Sequence, residues 1–192
     1  MKLVCVTYPT YFVEEDKILT ALFDEGLEDL HLCKSDDSSL YAERLLSLLP
    51  EKYHSRITVH DNYYLKQEFN LCGIHISDPA VLPPDGYKGR ITRSCNELSM
   101  LKILKKNAHY VILDDVDKRS ETELEAASRA GLIDKHVYAS GQFETDDIRT
   151  LRRLGFGGVV VRDALWSKFD RLKEGDFDGL LAHFAKLRSA VK

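Results

Sequence analysis

The sequence contains no apolar run approaching the roughly 20 residues that a bilayer-spanning helix needs, which argues against a membrane span. It contains no basic excess either: 27 Lys and Arg stand against 31 Asp and Glu, a formal net charge of −4. A chain that grips nucleic acid carries a basic face, so nucleic acid is not expected as a partner. No cleavable leader is legible. The first six residues hold one cation and pass straight into a strand-like run without a small-residue cleavage site, so a cytoplasmic protein is expected. The four cysteines, Cys5, Cys33, Cys72 and Cys95, never form a C-x-x-C pair. Local zinc motifs use close pairs because both ligands must reach one ion. These four read instead as small buried thiols in a reducing compartment. Phosphate-loop, nucleophile-elbow and H-E-x-x-H motifs are missing as well.

What is present is alternation. At 192 residues, 44% hydrophobic and 30% charged, the chain has the make-up of one globular domain. Short apolar runs fall at 3–8, 30–33, 57–59, 74–76, 91–93, 110–113, 137–139 and 159–161. Helical periodicity lies between most of them. Ile18, Leu19, Leu22 and Phe23 form one stripe, with Glu14, Glu15 and Asp16 at the dipole-favoured start and Gly26 as the stop. Tyr41, Leu45, Leu48 and Leu49 form the next, closed near Pro50. Further helices are expected over 63–69, 97–105, 120–130 and 145–154. Phe177, Leu180, Leu181, Phe184 and Leu187 then mark a terminal helix expected to pack inward. Only 79–89, with Pro79, Pro83, Pro84 and Gly86, reads as loop. Strict strand-then-helix order implies parallel strands, which need crossover connections. Eight units favour a closed (β/α)₈ barrel over an open doubly wound sheet, as a single compact domain spanning 1–192. Its loops must be short, because such barrels usually run to ~250 residues.

In such a barrel the site lies where the strands end. The strand-end candidates include Cys33, Lys34, Ser35 and Asp36, then His60, Asp61 and Asn62, then His75, Ser77 and Asp78. After them come Ser94 and Cys95, the run from Asp114 to Lys118, Ser140, Gly141 and Gln142, and finally Arg162 and Asp163. Each has a plainer reading. His75 inside an apolar strand could be a hydrogen-bonded core histidine. Asp61 could cap a helix, and the acidic run after strand six could be a solvated turn. Gly155, Gly157 and Gly158 precede strand eight at the opposite rim, and read as turn and close-packing glycines instead of a phosphate cradle.

Taken in series, several segments resemble the thiamine phosphate synthase and thiazole tautomerase superfamily. They are His31-Leu32-Cys33-Lys34, Ile57-Thr58-Val59-His60-Asp61, Gly73-Ile74-His75-Ile76, Ser94-Cys95, Ala139-Ser140-Gly141 and Phe156-Gly157-Gly158-Val159-Val160-Val161. The resemblance runs in order from the first strand to the last and implies the (β/α)₈ fold. Synthases of that superfamily join a hydroxymethylpyrimidine diphosphate to a thiazole phosphate and expel pyrophosphate with Mg²⁺ help. The departing polyanion must be met by cations. Carried onto this chain, the Gln-Leu-Arg-x-Lys element reads His31-Leu32-Cys33-Lys34-Ser35, and the Asn-Asp pair reads His60-Asp61. Asp61 is therefore the one Mg²⁺ acid retained, since the second falls at Ala80 with Asp78 out of register. The loop after strand six keeps Lys118 as its remnant, and the phosphate cup of backbone N–H groups reads Gly141-Gln142 and Arg162. Arg162 could bind an anion through its guanidinium instead.

The resemblance thus implies a divergent member in or beside thiamine metabolism, binding a small phosphorylated heterocycle at the barrel mouth. Lys34, Ser94, Lys118, Gly141, Gln142 and Arg162 are its expected contacts. His60, Asp61 or His75 would transfer a proton, which needs fewer parts than pyrophosphate displacement. Asp61, His75, Ser94 and Lys118 are expected to meet in one cavity. Mg²⁺ is possible only through Asp61, and a homodimer is possible. Two other functions stay open: a catalytically inactive barrel serving as ligand sensor or partner protein, and a phosphate-binding isomerase outside thiamine metabolism.

Overall fold

The computed structural model describes residues 1–35, 39–169 and 176–192. Asp36, one of the strand-end candidates, lies outside them. Eight strands run in chain order: β1 (Lys2–Val6), β2 (Asp29–Leu32), β3 (Ile57–His60), β4 (Gly73–Ile76), β5 (Arg90–Cys95), β6 (Tyr110–Leu113), β7 (Val137–Ser140) and β8 (Gly158–Val161). Each pairs in parallel with the next, and β8 returns to β1 in the register Lys2↔Gly158 to Cys5↔Val161. The barrel is closed, and the open sheet is excluded.

The helices are α1 (Glu15–Asp24), α2 (Leu40–Leu48), α3 (Leu65–Glu68), α4 (Leu98–Leu104), α5 (Glu121–Arg129), α6 (Thr145–Arg153), α7 (Asp163–Trp166) and α8 (Asp178–Val191). Between β4 and β5 the proline-bearing stretch forms no helix among the described residues, as expected. α1 buries Ile18, Leu19, Leu22 and Phe23 and then stops at Gly26. Gly26 takes φ +95°, its N–H donating to the Phe23 carbonyl while Leu27 N–H reaches back to Leu22. That is the left-handed helix cap a glycine permits at least cost. Gly157 has a different reason: a Cβ there would run into the Lys135 carbonyl oxygen.

The terminal helix packs inward with all five residues of its sequence pattern, though not equally deeply. Leu180, Phe184, Leu187 and Val191 are fully buried, while Phe177 and Leu181 sit half-buried at the edge of the stripe. The inward face is thus turned by only a fraction of one residue step, which leaves Phe177 and Leu181 on its margin. Three short elements were not anticipated, the 3₁₀ turns Glu51–Arg56 and Val116–Lys118 and the one-turn helix α7.

Alternation along the strands divides the core in two. Leu30, Leu32, Ile57, Val59, Ile74 and Ile76 face the helices in the main apolar cluster. The residues between them face the barrel axis. On one arc these are apolar: Val4, Val6, Tyr110, Ile112, Tyr138 and Val160 form their own cluster. On the arc from β2 to β5 they are polar and buried: Asp29, His31, Thr58, His75, Thr92 and Ser94. Barrel interiors of this architecture are ordinarily filled by Val, Ile and Leu, so a polar arc marks where this interior departs from simple packing.

Candidate functional site

The polar arc is held by hydrogen bonds running from the bottom of the barrel to its mouth. Arg90 pairs with Asp29 at 2.8 Å, and Tyr110 Oη donates to the same carboxylate oxygen at 3.4 Å. Tyr110 Oη also lies 2.6 Å from His31 Nε2, and His31 Nδ1 lies 2.8 Å from His60 Nε2. His75 stacks on His60 with ring centroids 4.0 Å apart. Its Nδ1 meets Thr92 Oγ1 at 2.9 Å and its Nε2 meets Ser94 Oγ at 3.3 Å. Ser94 Oγ also donates to the Ser77 carbonyl at 3.4 Å, and the hydroxyls of Ser94 and Ser140 are near enough to Asp114 to oppose the rise of its carboxyl pKa. Burial pushes the pKa values of all three imidazoles down, and the charge of a neighbouring His75 adds to this at His31 and His60. His75 falls to about 3, by burial first and Arg93 second. The three rings are therefore neutral at neutral pH.

Above this network opens a cavity of about 350 Å³, lined by Val6, Val160, Asp114, Asp115, Asp117, Lys118, Ser140, Gly141, Gln142, Arg162 and Asp163. It lies at the C-terminal ends of β6, β7, β8 and β1, at the mouth. Lys118, Gly141, Gln142 and Arg162 thus come together as the sequence led one to expect. Arg162 forms no ion pair among the described residues, yet its charge reaches Asp114, His60 and Cys33. Lys118 is held by Asp115 at 2.7 Å. Asp114 is half-buried, and its carboxyl pKa is raised, first by burial and second by the charge of Asp115.

Other candidates lie elsewhere. Asp61, His75, Ser94 and Lys118 do not share one cavity. His75 is sealed at 2% exposure, and Ser94, also buried, does not line the cavity. Asp61 is exposed on a left-handed turn, φ +52°, away from the cavity walls. His60 is half-buried over His31. Lys34 is withdrawn from any ligand: its ammonium is enclosed between Glu15, at 2.6 Å, and the Tyr8 carbonyl, at 2.8 Å. A cation so placed completes a buried ion pair, which is why it does not line the mouth. Asp29, Arg90 and Tyr110 were missed altogether, because each stands at the start of a strand, far in sequence from any strand end. The signal that could have found them is the period-two polarity of Asp29-Leu30-His31-Leu32 and the polar character of Arg90-Ile91-Thr92-Arg93-Ser94. Strands of parallel sheets are usually apolar throughout.

The closed parallel barrel with a polar cavity at its C-terminal rim defines a (β/α)₈ barrel protein. The chain is similar to the crystal structure of thiamine phosphate pyrophosphorylase from Bacteroides thetaiotaomicron, at 43% identity over 99% of this chain and 97% of that one, with a TM-score of 0.93. It belongs to the thiamine phosphate synthase superfamily. A thiamine phosphate pyrophosphorylase from Pyrococcus furiosus shares the fold at 19% identity, covering 99% of this chain and 95% of that one, TM-score 0.74. So does 3-hexulose-6-phosphate synthase from Salmonella typhimurium, at 10% identity over 100% and 98% of the two chains, TM-score 0.68. No protein-family model and no curated protein matches the chain.

The superfamily implies Mg²⁺, but the residues present do not fit it. Mg²⁺ wants several oxygen ligands in octahedral array. Asp61 stands alone on its exposed turn, Ala80 offers no carboxylate, and Asp78 Oδ1 is already accepting the Ala80 N–H at 2.8 Å. Among the described residues, no helix is long and apolar enough to cross a membrane.

Proposed function

We propose that the protein binds a small phosphorylated heterocycle of the thiamine pathway in the rim cavity and, where it acts on it, moves a proton without expelling pyrophosphate. The observation that carries this is the pairing of Arg162 and Asp114 across one cavity. Arg162 offers a guanidinium with no ion pair among the described residues, the group best shaped to take a phosphate through two parallel hydrogen bonds. Asp114 offers a half-buried carboxyl whose proton affinity is raised by burial and by the charge of Asp115, a group able to take up and return a proton. A tautomerisation of a thiazole phosphate needs only these parts: an anchor for the phosphate and one group that takes a proton and returns it.

The charges of the cavity walls support this restriction. Four carboxylates, from Asp114, Asp115, Asp117 and Asp163, surround two cations, and one of those, Lys118, is already paired. One phosphate can be met by Arg162, whereas a leaving pyrophosphate would face net negative walls. The experiment is a thermal-shift titration with thiazole phosphate, thiamine phosphate and their free heterocycles. A specific ligand at a hundredfold excess over Kd stabilises by about 2.7 kcal/mol. The phosphorylated compounds should shift the melting temperature, the free heterocycles should do so weakly, and Arg162→Ala should abolish the difference. Asp114→Asn should keep binding but stop proton exchange into the ligand, followed by NMR in deuterated buffer. No shift from any of the four would leave the inactive-barrel reading in its place.

A further inference from the structure

Beneath that cavity three imidazoles from consecutive strands converge, and nothing in the reading above gives them a task. We propose that His31, His60 and His75 form a three-histidine site for a transition-metal ion, with Zn²⁺ as its natural occupant. The ligand atoms, one per ring, all lie within 4.8 Å of one another. His31 on β2, His60 on β3 and His75 on β4 all face the barrel axis, and β3 and β4 are registered with His60 opposite His75.

The outward nitrogens are already engaged, as metal-bound histidines require. His31 Nε2 is tied to Tyr110 Oη at 2.6 Å, leaving Nδ1 toward His60. His75 Nδ1 is tied to Thr92 Oγ1 at 2.9 Å, leaving Nε2 with only the 3.3 Å contact to Ser94. Two of the three rings are thus oriented from behind by hydroxyl groups. Tetrahedral Zn²⁺ with Zn–N near 2.0–2.1 Å places its nitrogens about 3.3 Å apart. The 2.8 Å contact between His31 and His60 has therefore to open by about half an ångström, and His75 has to close in. The hydrogen now held between those two nitrogens passes to the far nitrogen of its own ring. Three neutral imidazoles then present three lone pairs, and no proton leaves the protein.

The donor set selects the metal. Imidazole suits Zn²⁺, Cu²⁺, Fe²⁺ and Ni²⁺, whereas Mg²⁺ takes oxygen. The nearby cation at the bottom of the network, Arg90, is balanced by Asp29 at 2.8 Å. His60 is the least buried of the three rings, so a fourth position would open on its side, the arrangement of catalytic zinc sites with three protein ligands. The inference does not rest on the ligand proposed for the cavity above, and either can fail without the other.

The test uses the full-length protein, stripped with a chelator and titrated with Zn²⁺ by calorimetry and with Co²⁺ by optical spectroscopy. One ion should bind per chain, and the Co²⁺ form should show the intense visible bands of a four- or five-coordinate nitrogen–oxygen site. His60→Ala and His75→Ala should abolish that binding. Thr92→Val, which leaves every ligand in place and removes only the hydroxyl behind His75, should weaken it about 10–100-fold. His136→Ala, which alters an exposed histidine elsewhere, should change nothing. Failure of the unmodified protein to bind one equivalent would overturn the proposal. So would binding that survives in both His60→Ala and His75→Ala, and so would undiminished affinity in a folded Thr92→Val.

Discussion

The ammonium of Lys34 lies 2.6 Å from both carboxylate oxygens of Glu15, and the two side chains are 4% and 0% exposed. Burial raises the Glu15 carboxyl from 4.5 to about 7, against the opposing pull of Lys34. An acid that holds its proton more tightly when folded makes folding less favourable as pH rises between its unfolded and folded values. Stability should therefore fall from about pH 4.5 to 7 and level off above, by about 3 kcal/mol at most. Denaturant melts at pH 5 and pH 8 measure the difference, and Glu15→Gln should flatten it.

The same pair predicts a pH-dependent cost for Lys34→Met. At pH 8 the substitution leaves a buried carboxylate without its cation, which typically costs 3–5 kcal/mol. At pH 5 Glu15 already holds its proton, no buried charge is left uncompensated, and the loss should shrink. A loss equal at the two pH values would mean that Glu15 stays ionised throughout.

The phase of α8 gives a third expectation. Phe184 is fully buried against the barrel, so Phe184→Ala should cost about 3–5 kcal/mol. Leu181 is half-buried, and Leu181→Ala should cost clearly less than Leu180→Ala, whose side chain is fully enclosed. Chemical denaturation of the three variants under one condition orders them.

The difference between Leu180 and Leu181 shows what the sequence could and could not specify. Alternation of strands and helices is a property of local periodicity, and the whole barrel was legible from it, down to the proline-bearing stretch without a helix. The rotational phase of a helix whose apolar residues fill three adjacent rows is set by the partner it packs on, which no local pattern contains. The site divides in the same way. Lys118, Gly141, Gln142 and Arg162 follow their strands directly and fall in the cavity because strand ends share one mouth. Lys34 also follows its strand, but Glu15 from another βα unit captures it. His31, Asp29, Arg90 and Tyr110 meet only through barrel closure, which brings residues 61 or more positions apart into hydrogen-bond contact. Asp114 was among the strand-end residues, but only its partners Ser94 and Ser140 separate it from a solvated turn.

The last prediction concerns what the protein does not catalyse. Expelling pyrophosphate requires cations and a metal already aimed at the polyanion. On this chain Cys33 and Ser35 stand where the synthases of the superfamily carry their two cations, and Lys34 between them is locked to Glu15. Ala80 stands where the second metal acid belongs, Asp78 is turned to its own loop, and Lys118 is paired with Asp115. The cavity adds Asp117 and Asp163, both of the wrong sign for a leaving pyrophosphate. Each missing electrostatic contact of this kind costs roughly 10²–10³ in rate. Against a median enzyme near ~10 s⁻¹, the loss of even one places turnover at or below ~0.1 s⁻¹, and two or more place it far lower. Purified protein incubated with both synthase substrates and Mg²⁺ should release pyrophosphate below ~0.1 s⁻¹. Steady release above that rate, abolished by Arg162→Ala, would show that one guanidinium suffices for the work these synthases divide among several groups.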